Sequence, residues 1–388
     1  MYASQCPICG SNKVVPFFFQ EAVPLLNNVL YFSQRKAAQV PVGRLDFYGC
    51  SLCGFAWNNA FDESLVHYDA NYENNQSVSV AFKKHLEDIL LRIKSLMPYS
   101  FSVLEIGCGQ GYFLDFLIAS LGERISCGLG FDPALRRRND AGQLQLIPAY
   151  VNKELLPKTL KSPLLLLLRH LIEHVDNPTA FMKAIIALSS EISAAALETP
   201  SLEWIIENKT YFDFYYEHCS IFSGKSLFCL LSNLNFSNIN VSRHFGGQYL
   251  LGTGSKDINS TFVPCTDNIV FSNSFNDFSR GYEAFLAHWR NIFETWHSQG
   301  KKIALWGAGS KGVMFANMIG MDGKLQAVVD INIKKQGAYL PVTALPVVTP
   351  GEARNSNTDC IVVMNPQYVR EVNTICNEIH FYPEIYNV

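Results

Sequence analysis

The sequence predicts an α/β protein with two Rossmann-like units, because an apolar strand, a glycine-rich turn and a helix follow one another twice along the chain. The first occurrence is "VLEIGCGQGYF" at residues 103–113, and the second is "KKIALWGAGSKG" at residues 301–312. Two cysteine turns near the N-terminus predict an additional small metal-binding module. A chain of 388 residues is too long for one core, so two or three domains are expected.

The composition excludes several classes of protein. With 48% hydrophobic residues and a formal net charge of -3, the chain has neither the basic excess of a nucleic-acid-binding protein nor an acidic tail. No segment reaches the ~18 apolar residues of a membrane span, and the short leucine run at 164–168 suits a buried parallel strand. The N-terminus lacks the pattern of a secretion signal. We therefore expect a cytoplasmic protein, monomeric or dimeric, whose 11 cysteines are metal ligands and buried thiols.

The cysteine turns have the spacing of a zinc site. Cys6 and Cys9 lie in "CPICG", and Cys50 and Cys53 lie in "CSLCG". In each turn two thiolates point at one ion, and the glycine permits a tight backbone. Four thiolates close the coordination sphere, so we expect a structural rather than a catalytic zinc ion. The ion would hold together residues 1–70, which are too few for a core of their own.

The first glycine loop is flanked by two acidic residues. Glu105 lies just ahead of Gly107, Gly109 and Gly111, and Asp132 ends the probable second strand. An acidic side chain at that position can accept hydrogen bonds from ribose hydroxyls. The spacing differs from the G-x-G-x-x-G form of nicotinamide enzymes.

This E-x-G-x-G-x-G spacing resembles the class I methyltransferases, which use S-adenosylmethionine. The resemblance implies that Gly107, Cys108 and Gly109 border the amino-acid part of the cofactor and that Asp132 binds its ribose. The family also has a polar residue after the third strand that binds the adenine amino group. In this chain the candidate is Asn152, in "IPAYVNKELL".

Two histidines follow the predicted fourth strand. His170 and His174 in "RHLIEHVDNP" are four residues apart, so one helical turn would place them on the same face. The carboxyl end of a strand in an open α/β sheet is where ligands bind, and we expect His170 beside the cofactor. No metal is expected here, because the pattern lacks the glutamate of H-E-x-x-H and a sulfonium donor needs no Lewis acid. Capping and packing of this turn is the alternative role.

A second polar cluster lies at residues 215–218. Tyr215, Tyr216, Glu217 and His218 bring phenols, a carboxylate and an imidazole together. An imidazole can accept a proton near neutral pH, and a phenol can donate to a developing oxyanion. The alternative is an aromatic surface with a solvated Glu–His pair.

The order of these motifs resembles the three-part sugar C-methyltransferases. These combine an N-terminal zinc-binding module, a class I methyltransferase domain and a C-terminal Rossmann-like domain, which here would be residues 1–70, 71–264 and 265–388. The resemblance implies a nucleotide-linked 4-keto-deoxysugar as substrate. A base removes the proton beside the ketone, and the enolate attacks the methyl group of S-adenosylmethionine.

The family's "YHEH" motif falls on residues 215–218 of this chain, with Tyr216 where histidine is common. The resemblance implies that His218 is the general base and that Tyr215 supports the enolate oxygen. Glu217 would orient a neighbour or hold the sugar, and Tyr216 would contact the substrate.

Two further residues join the pocket by the same resemblance. His174 falls where the family also has a pocket histidine. Tyr72 in "NYENNQS" matches a family tyrosine that would act as a proton donor, although the second aromatic residue of that motif is missing here.

The second glycine loop is a literal G-x-G-x-x-G, formed by Gly307, Gly309 and Gly312. Asp330 ends the next strand roughly 20 residues on, where a dinucleotide ribose partner is expected. On spacing alone this favours NAD. Only about eighty residues follow the loop, however, which is enough for half of a dinucleotide fold.

A glycine turn at a helix N-terminus also suits a diphosphate without nicotinamide, because free N–H groups and the helix dipole favour anions. Ser310 and Lys311 could add contacts to such a ligand. We therefore expect S-adenosylmethionine at the first loop and the substrate's nucleotide diphosphate at the second. A scaffold that binds nothing is the alternative for the second loop.

Three other functions stay open from the sequence. One is methylation of oxygen or nitrogen in another small metabolite by an enzyme that uses S-adenosylmethionine. Another is an NAD(P)-dependent oxidoreductase that uses residues 307–312. The last is a binding protein that has kept the folds without catalysis.

Overall fold

The computed structural model describes residues 5–69, 71–74, 79–137, 142–157, 160, 163–256, 271–319 and 323–388. Residue 70 and the boundary between residues 264 and 265 lie outside these ranges, so the division into three domains stays a prediction. None of the helices in the described ranges is long and apolar enough to cross a membrane.

The regular elements of the described chain form three sheets and the helices that cover them. The strands are β1 (Val14–Pro24), β2 (Val42–Cys50), β3 (Ala56–Asn58), β4 (Phe101–Ile106), β5 (Ile125–Phe131), β6 (Leu144–Ile147), β7 (Leu164–Arg169), β8 (Ile192–Pro200), β9 (Ser220–Ile221), β10 (Ser237–His244), β11 (Tyr249–Ser255), β12 (Ile303–Trp306), β13 (Leu325–Val329), β14 (Val347–Val348), β15 (Cys360–Val363) and β16 (Glu384–Asn387). The α-helices are α1 (Gln34–Ala38), α2 (Val80–Leu96), α3 (Tyr112–Leu121), α4 (Pro178–Leu188), α5 (Leu202–Asn208), α6 (Gly224–Asn233), α7 (Ser272–Ser298), α8 (Ser310–Ile319), α9 (Pro350–Asn355) and α10 (Val369–Glu378).

The N-terminal sheet is antiparallel, with the strand order β1-β2-β3-β9. Its last strand comes from the central part of the chain and begins at Ser220, two residues after His218. The two parts approach closely at Gly43, where a β-carbon would lie 2.3 Å from the ring of Tyr216. The N-terminal module and the predicted catalytic segment therefore share one sheet.

The central sheet has seven strands in the order β10-β11-β8-β7-β4-β5-β6. Strands β4 to β8 are parallel to one another. At one edge of the sheet, β11 is antiparallel to β8, and β10 is antiparallel to β11. Leu164 to Leu168 of β7 are all fully buried, because helices cover both faces of the sheet. Leu165 and Leu167 pack with α2 and α3, and the alternate leucines pack with α4 and α6. The mixed α/β fold with parallel sheets is as predicted.

The C-terminal sheet contains five parallel strands in the order β14-β13-β12-β15-β16. Helix α7 precedes it as a long amphipathic helix, as the sequence indicates. Phe275 and Phe278 near its start pack with Phe17 and Phe47 of the N-terminal sheet. Its later turns cover the C-terminal sheet through residues such as Phe293. The helix thus joins the first and last units through one aromatic core.

Replacement of Phe278 by alanine tests this aromatic core. Phe278 is 1% exposed, and its ring centroid lies 4.2 Å from that of Tyr211 and 5.6 Å from that of Phe214. We expect Phe278→Ala to lower the free energy of unfolding by roughly 3–5 kcal/mol, because it leaves a cavity among rings. Chemical unfolding followed by tryptophan fluorescence measures the change. Phe32→Ala is the control, since Phe32 is 65% exposed; equal effects of the two substitutions would contradict the packing described.

Candidate active site

The four predicted zinc ligands come together in one cluster. The Sγ atoms of Cys6 and Cys53 are 3.6 Å apart, as are those of Cys9 and Cys50. All four sulfur atoms lie within 4.8 Å of one another. These separations are too long for a disulfide bond and close to the ~3.8 Å edge of a tetrahedron with Zn–S bonds of about 2.3 Å. The cluster could therefore bind zinc.

The first glycine loop follows β4 and is shaped by Asp132. Gly107, Gly109 and Gly111 have φ values of 71°, 55° and 76°, which other residues rarely adopt. One carboxylate oxygen of Asp132 accepts the N–H of Gly109 at 2.8 Å, and the other accepts the N–H of Ala134 at 2.8 Å. Burial raises the pKa of this carboxyl group. A β-carbon at Gly109 would meet no atom within 4 Å, so the loop leaves open space where a ligand can approach.

The other two residues predicted near this loop differ in exposure. Cys108 is buried, and its Sγ lies 3.8 Å from the carbonyl oxygen of Gly109. Asn152 is exposed, and its side chain accepts the N–H of Leu155 at 3.0 Å, capping a short 3-10 turn. The adenine-binding role of Asn152 stays a prediction.

A row of charged side chains lies at the carboxyl ends of β4, β7 and β8. Arg169 donates through Nε to Glu198 at 2.7 Å, and His85 of α2 is hydrogen-bonded to the other oxygen of Glu198. Burial opposes ionisation of Glu198, but Arg169, His170 and His85 hold its pKa well below the usual range. Burial raises the pKa of Glu105 to about 8, although Arg169 acts in the opposite direction.

His170 lies beside this row in an uncommon backbone conformation, with φ of 49°. Its Nδ1 is 3.5 Å from Glu173, and its Nε2 is 3.7 Å from Glu198. Its ring also contacts Tyr249, with centroids 4.6 Å apart. Non-glycine residues in such conformations concentrate at functional sites.

His218 lies among aromatic side chains. Its ring centroid is 4.7 Å from that of His174 and 4.5 Å from that of Tyr215. A 2.7 Å hydrogen bond joins the Nδ1 of His174 to the hydroxyl of Tyr68. The buried Nδ1 of His218 has no hydrogen-bond partner within the described ranges. Burial, and then the charges of His174, His170 and Lys311, lower the pKa of His218 well below its usual value. At neutral pH its imidazole is therefore uncharged and can accept a proton.

Glu173 adds a carboxylate to this group. It is fully buried, and one of its oxygens accepts the hydroxyl of Thr199 at 3.1 Å. Ligand atoms of Glu173, His174 and His218 lie within 4.8 Å of one another. The cluster therefore brings two imidazoles and a carboxylate together.

Glu217 is buried and connects the cluster to the N-terminal part of the chain. It accepts the backbone N–H of Asn27 at 2.9 Å and the hydroxyl of Tyr72 at 2.7 Å. Burial raises the pKa of Glu217. Tyr216 is 1% exposed and accepts the N–H of Asp62 at 3.0 Å. The structure thus brings Tyr72 to Glu217 as a pair, and it places Tyr216 in the aromatic core.

Tyr215 is connected to the second glycine loop through Asp213. The Tyr215 hydroxyl donates to Asp213 at 2.8 Å, and Lys311 contacts both oxygens of the same carboxylate at 2.6 Å. The Lys311 ammonium also lies 4.7 Å from the ring centroid of Trp204. Lys311 therefore bridges the start of α8 and the central unit.

The second loop repeats the construction of the first. Asp330 follows β13 and accepts the N–H groups of Ala308 and Asn332, each at 2.8 Å. Gly307 has φ of 114°, and a β-carbon at Gly312 would lie 2.0 Å from the carbonyl oxygen of Gly307. Only glycine at these positions lets α8 begin this close to the strand.

Lys335 is a buried cation beside the second loop. It is 7% exposed, and its Nζ donates to the carbonyl of Ala308 at 2.9 Å and lies 3.5 Å from the side-chain oxygen of Asn28. It forms no ion pair within the described ranges. Asn28 in turn donates to the hydroxyl of Ser310 at 2.8 Å and lies 3.4 Å from that of Tyr72.

One cavity of about 240 Å³ joins the imidazole cluster to the second loop. The first glycine loop is not among the described residues that line it. The lining from the first two units includes Asn28, Tyr72, His170, Glu173, His174, Asp213, Tyr215 and His218. The lining from the C-terminal unit includes Gly307, Gly309, Ser310, Lys311, Gly312, Asp330 and Lys335.

Several residues of the site were missed by the sequence analysis. Tyr68, Asn28 and Asp213 reach it through tertiary contacts that no local pattern indicates. Lys335 stands in a short basic run, "IKKQG", but burial rather than spacing distinguishes it. Glu173 could have been recognised from the sequence, since it lies between the two histidines of "RHLIEHVDNP".

Family comparisons agree with the methyltransferase interpretation. A family model described as "C-methyltransferase C-terminal domain" matches residues 268–381, and one described as "Methyltransferase domain" matches residues 69–241. The C-methyltransferase NovU of Streptomyces niveus is 22% identical, and the match covers 97% of this chain and 92% of that protein. Together these matches support a C-methyltransferase family for this chain. It is an S-adenosylmethionine-dependent methyltransferase.

The matches to solved methyltransferase structures each cover less than half of this chain. The plantazolicin methyltransferase BpumL in complex with SAH is 14% identical, with a TM-score of 0.36, over 47% of this chain and 87% of that one. The CurJ carbon methyltransferase is 11% identical, with a TM-score of 0.34, over 46% of this chain and 55% of that one.

Removal of one thiolate tests whether the cysteine cluster of this methyltransferase binds zinc. We expect purified wild-type protein to contain about one zinc ion per chain and Cys9→Ser to lose most of it, because a structural site needs four ligands. The melting temperature should fall in parallel. Plasma mass spectrometry and calorimetry measure the two quantities. Cys127→Ser is the matched control, since Cys127 is a buried free thiol on β5 outside the cluster. Full zinc content in Cys9→Ser would contradict the assignment.

Proposed function

We propose that this methyltransferase C-methylates a nucleotide-linked 4-keto-deoxysugar through an enolate, with His218 as the general base. The observation that carries the proposal is the cavity, which has an uncharged imidazole at one end and a glycine loop with a buried lysine at the other. A nucleotide sugar has a keto sugar that can give up a proton to an imidazole and a diphosphate that can bind at a glycine loop. Its keto sugar would lie at His218 and its diphosphate at the second loop.

The methyl donor is assigned to the first glycine loop. Gly109 borders open space, and the Asp132 carboxylate lies at the loop, where ribose hydroxyls can donate to it. Glu105 has a buried oxygen without a partner within the described ranges, which suits a ligand with a polar group. When bound there, S-adenosylmethionine supplies the electrophilic methyl group.

His218 begins the reaction by taking the proton from the carbon beside the ketone. The ring nitrogen gains that proton, and the electron pair of the C–H bond forms the enolate. Tyr215 donates a hydrogen bond to the enolate oxygen in place of its bond to Asp213. When the Tyr215 hydroxyl leaves Asp213, the Asp213 carboxylate keeps its two contacts with the Lys311 ammonium.

Glu217 and Tyr72 form the other side of the pocket. The backbone N–H of Asn27 fixes Glu217, and Glu217 fixes the Tyr72 hydroxyl. Glu217 therefore acts as a positioning residue. Tyr72 stays the candidate proton donor, because it lines the cavity.

The second loop is assigned to the diphosphate. Backbone N–H groups at the start of α8 favour anions. Lys335 is a buried ammonium with no carboxylate partner within the described ranges, so a phosphate oxygen would supply its missing counter-charge. Lys311 and Ser310 line the same end of the cavity.

Replacement of the proposed base gives the first test of this function. We expect His218→Gln to lower kcat by roughly 10²–10⁴-fold, because an amide cannot accept the proton. Affinity for S-adenosylmethionine should be unchanged. His288→Gln is the control, since His288 is exposed on α7. Product formation is followed by mass spectrometry and by the appearance of a C–CH3 signal in carbon NMR.

The pH profile of the wild-type enzyme provides a second readout for the same residue. The base works only when unprotonated, and the pKa of His218 is lowered. The rate should therefore stay constant from neutral pH to below ~6.5, the usual histidine value, and fall only in more acidic solution. A profile that falls already at neutral pH, or undiminished turnover in His218→Gln, would exclude this base.

Replacement of the buried lysine tests the diphosphate site. We expect Lys335→Met to weaken binding of a nucleoside diphosphate by roughly tenfold or more, because a charge-assisted hydrogen bond is lost. Lys334→Met is the control, since Lys334 is half-exposed and lies 3.3 Å from Glu73. Isothermal titration measures both. Equal affinities in the two variants would argue against the site, and tight binding of NAD(P) would favour the oxidoreductase alternative.

A further inference from the structure

Glu73 is a buried carboxylate that two cations share. Its side chain is 1% exposed, and one of its oxygens accepts Nη2 of Arg136 at 2.6 Å and lies 3.3 Å from Nζ of Lys334. Burial opposes ionisation of Glu73, but Arg136 and Lys334 lower its pKa. Its other oxygen has no hydrogen-bond partner within the described ranges. Glu73 is therefore an ionised group that joins two segments from distant parts of the chain.

The two cations occupy equivalent places after the two glycine loops. Arg136 is the fourth residue after Asp132, and Lys334 is the fourth residue after Asp330. These are the aspartates that fix the first and second loops by accepting backbone N–H groups. One carboxylate thus connects the segments that follow the second strand of both Rossmann-like units.

Each cation-bearing segment is hydrogen-bonded to its own loop. The backbone N–H of Arg136 donates to the side chain of Gln110, in the first loop, at 3.0 Å. The backbone N–H of Lys334 donates to the side chain of Asn332 at 3.1 Å, and the N–H of Asn332 donates to the aspartate of the second loop at 2.8 Å. A ligand that orders either loop therefore also orders the segment that carries the cation.

Glu73 also holds its neighbour Tyr72 in the wall of the cavity. The N–H of Glu73 donates to the carbonyl of Asn28 at 2.8 Å, and Tyr72 pairs with Val29 in an antiparallel bridge. The Tyr72 hydroxyl donates to Glu217 at 2.7 Å. An ion pair that buries a carboxylate adds little to stability, because desolvation of the charge offsets the attraction. The ion pairs of Glu73 therefore act mainly on the position of the segment that carries Tyr72.

We propose that Glu73 is a positioning residue that couples the two glycine loops, so that a ligand at either loop raises the affinity of the other loop for its own ligand. A donor at the first loop holds Arg136 against Glu73. The entropy cost of ordering Lys334 and the second loop is then smaller when the diphosphate binds. The coupling acts in both directions, because linkage between two binding sites is reciprocal. This inference rests on the proposed placement of the donor at the first loop and of a diphosphate at the second.

Calorimetric titrations measure the coupling directly. Thymidine diphosphate or uridine diphosphate, whichever binds the wild type more tightly, is titrated with and without saturating S-adenosylhomocysteine, which is the donor without its transferable methyl group. We expect S-adenosylhomocysteine to tighten diphosphate binding by the wild type about fivefold or more, as is usual for coupled sites. In Glu73→Gln the two affinities should agree within about twofold, because a neutral amide forms no ion pair with either cation.

Variants of the two cations provide the same test without a change to a buried group, since both side chains are partly exposed. Arg136→Gln and Lys334→Met should each lose the coupling, because each disconnects one loop from Glu73. Without S-adenosylhomocysteine, Lys334→Met should bind the diphosphate as tightly as the wild type, since Lys335 is intact. Loss of coupling with unchanged affinity for the single ligand distinguishes positioning from a direct contact.

Glu207→Gln is the matched control for the loss of an ion-paired carboxylate. The two oxygens of Glu207 accept from Arg243 at 2.8 and 2.9 Å, but both residues lie in the central part of the chain and neither belongs to a glycine loop. This variant should keep the wild-type coupling. Because the coupling is a ratio of two affinities in one preparation, it does not depend on the folded fraction.

The outcomes separate this inference from the proposed function. If both ligands bind but the wild type shows no coupling, or if Glu73→Gln keeps it, the role of Glu73 is overturned while the two sites stand. Loss of coupling in Glu207→Gln as well would also overturn that role, because the effect would not be specific to Glu73. If the wild type does not bind the diphosphate at all, the proposed placement of the substrate fails, and this inference fails with it.

Discussion

The pairing of β3 with β9 is the contact on which the geometry of the site depends. β9 begins two residues after His218 and pairs with the N-terminal sheet, with Ala56 opposite Ile221 and Trp57 opposite Ser220. The backbone N–H of Asn58 also bonds to the carbonyl just after His218, at 2.9 Å. The turn that leads into β3 is itself one of the cysteine knuckles. A metal in that cluster would therefore influence catalysis through the position of a strand, without taking part in the chemistry.

The two glycine loops show how one local construction serves two purposes. In each, an aspartate after the second strand accepts two backbone N–H groups and so fixes the loop, through Asp132 in one case and Asp330 in the other. Their surroundings differ in charge. The first loop adjoins the Glu105 carboxyl, whereas the second adjoins the buried Lys335 ammonium. The buried ammonium gives the second loop a positive charge that suits an anionic group, whereas burial favours the uncharged form of the Glu105 carboxyl group.

Much of this architecture could be predicted from local sequence, because glycine turns, cysteine pairs and strand-ending acids act over a few residues. The spacing around Gly109 predicted the methyltransferase fold, and the knuckles predicted the cluster. The missed parts depend on contacts between distant segments. Nothing in the sequence near Tyr68 indicates that its hydroxyl contacts His174. Strand β9 has only two residues, and the strand with which it pairs lies some 160 positions earlier in the chain. From the sequence, Arg169 was only the residue that ends a leucine-rich strand. Its ion pair could not be predicted, because its partner Glu198 lies on another strand.

The shared N-terminal sheet also affects how such chains can be recombined. A natural or engineered crossover near residue 70 would separate β3 from the strand that it pairs with. In a chimera, β3 and β9 would come from different parents and would pair poorly, unless residues 215–223 were transferred together with the N-terminal module. The pairing of β3 with β9 thus ties the proposed catalytic segment to the cysteine-rich module, so the two would have to be exchanged together although they are far apart in the chain.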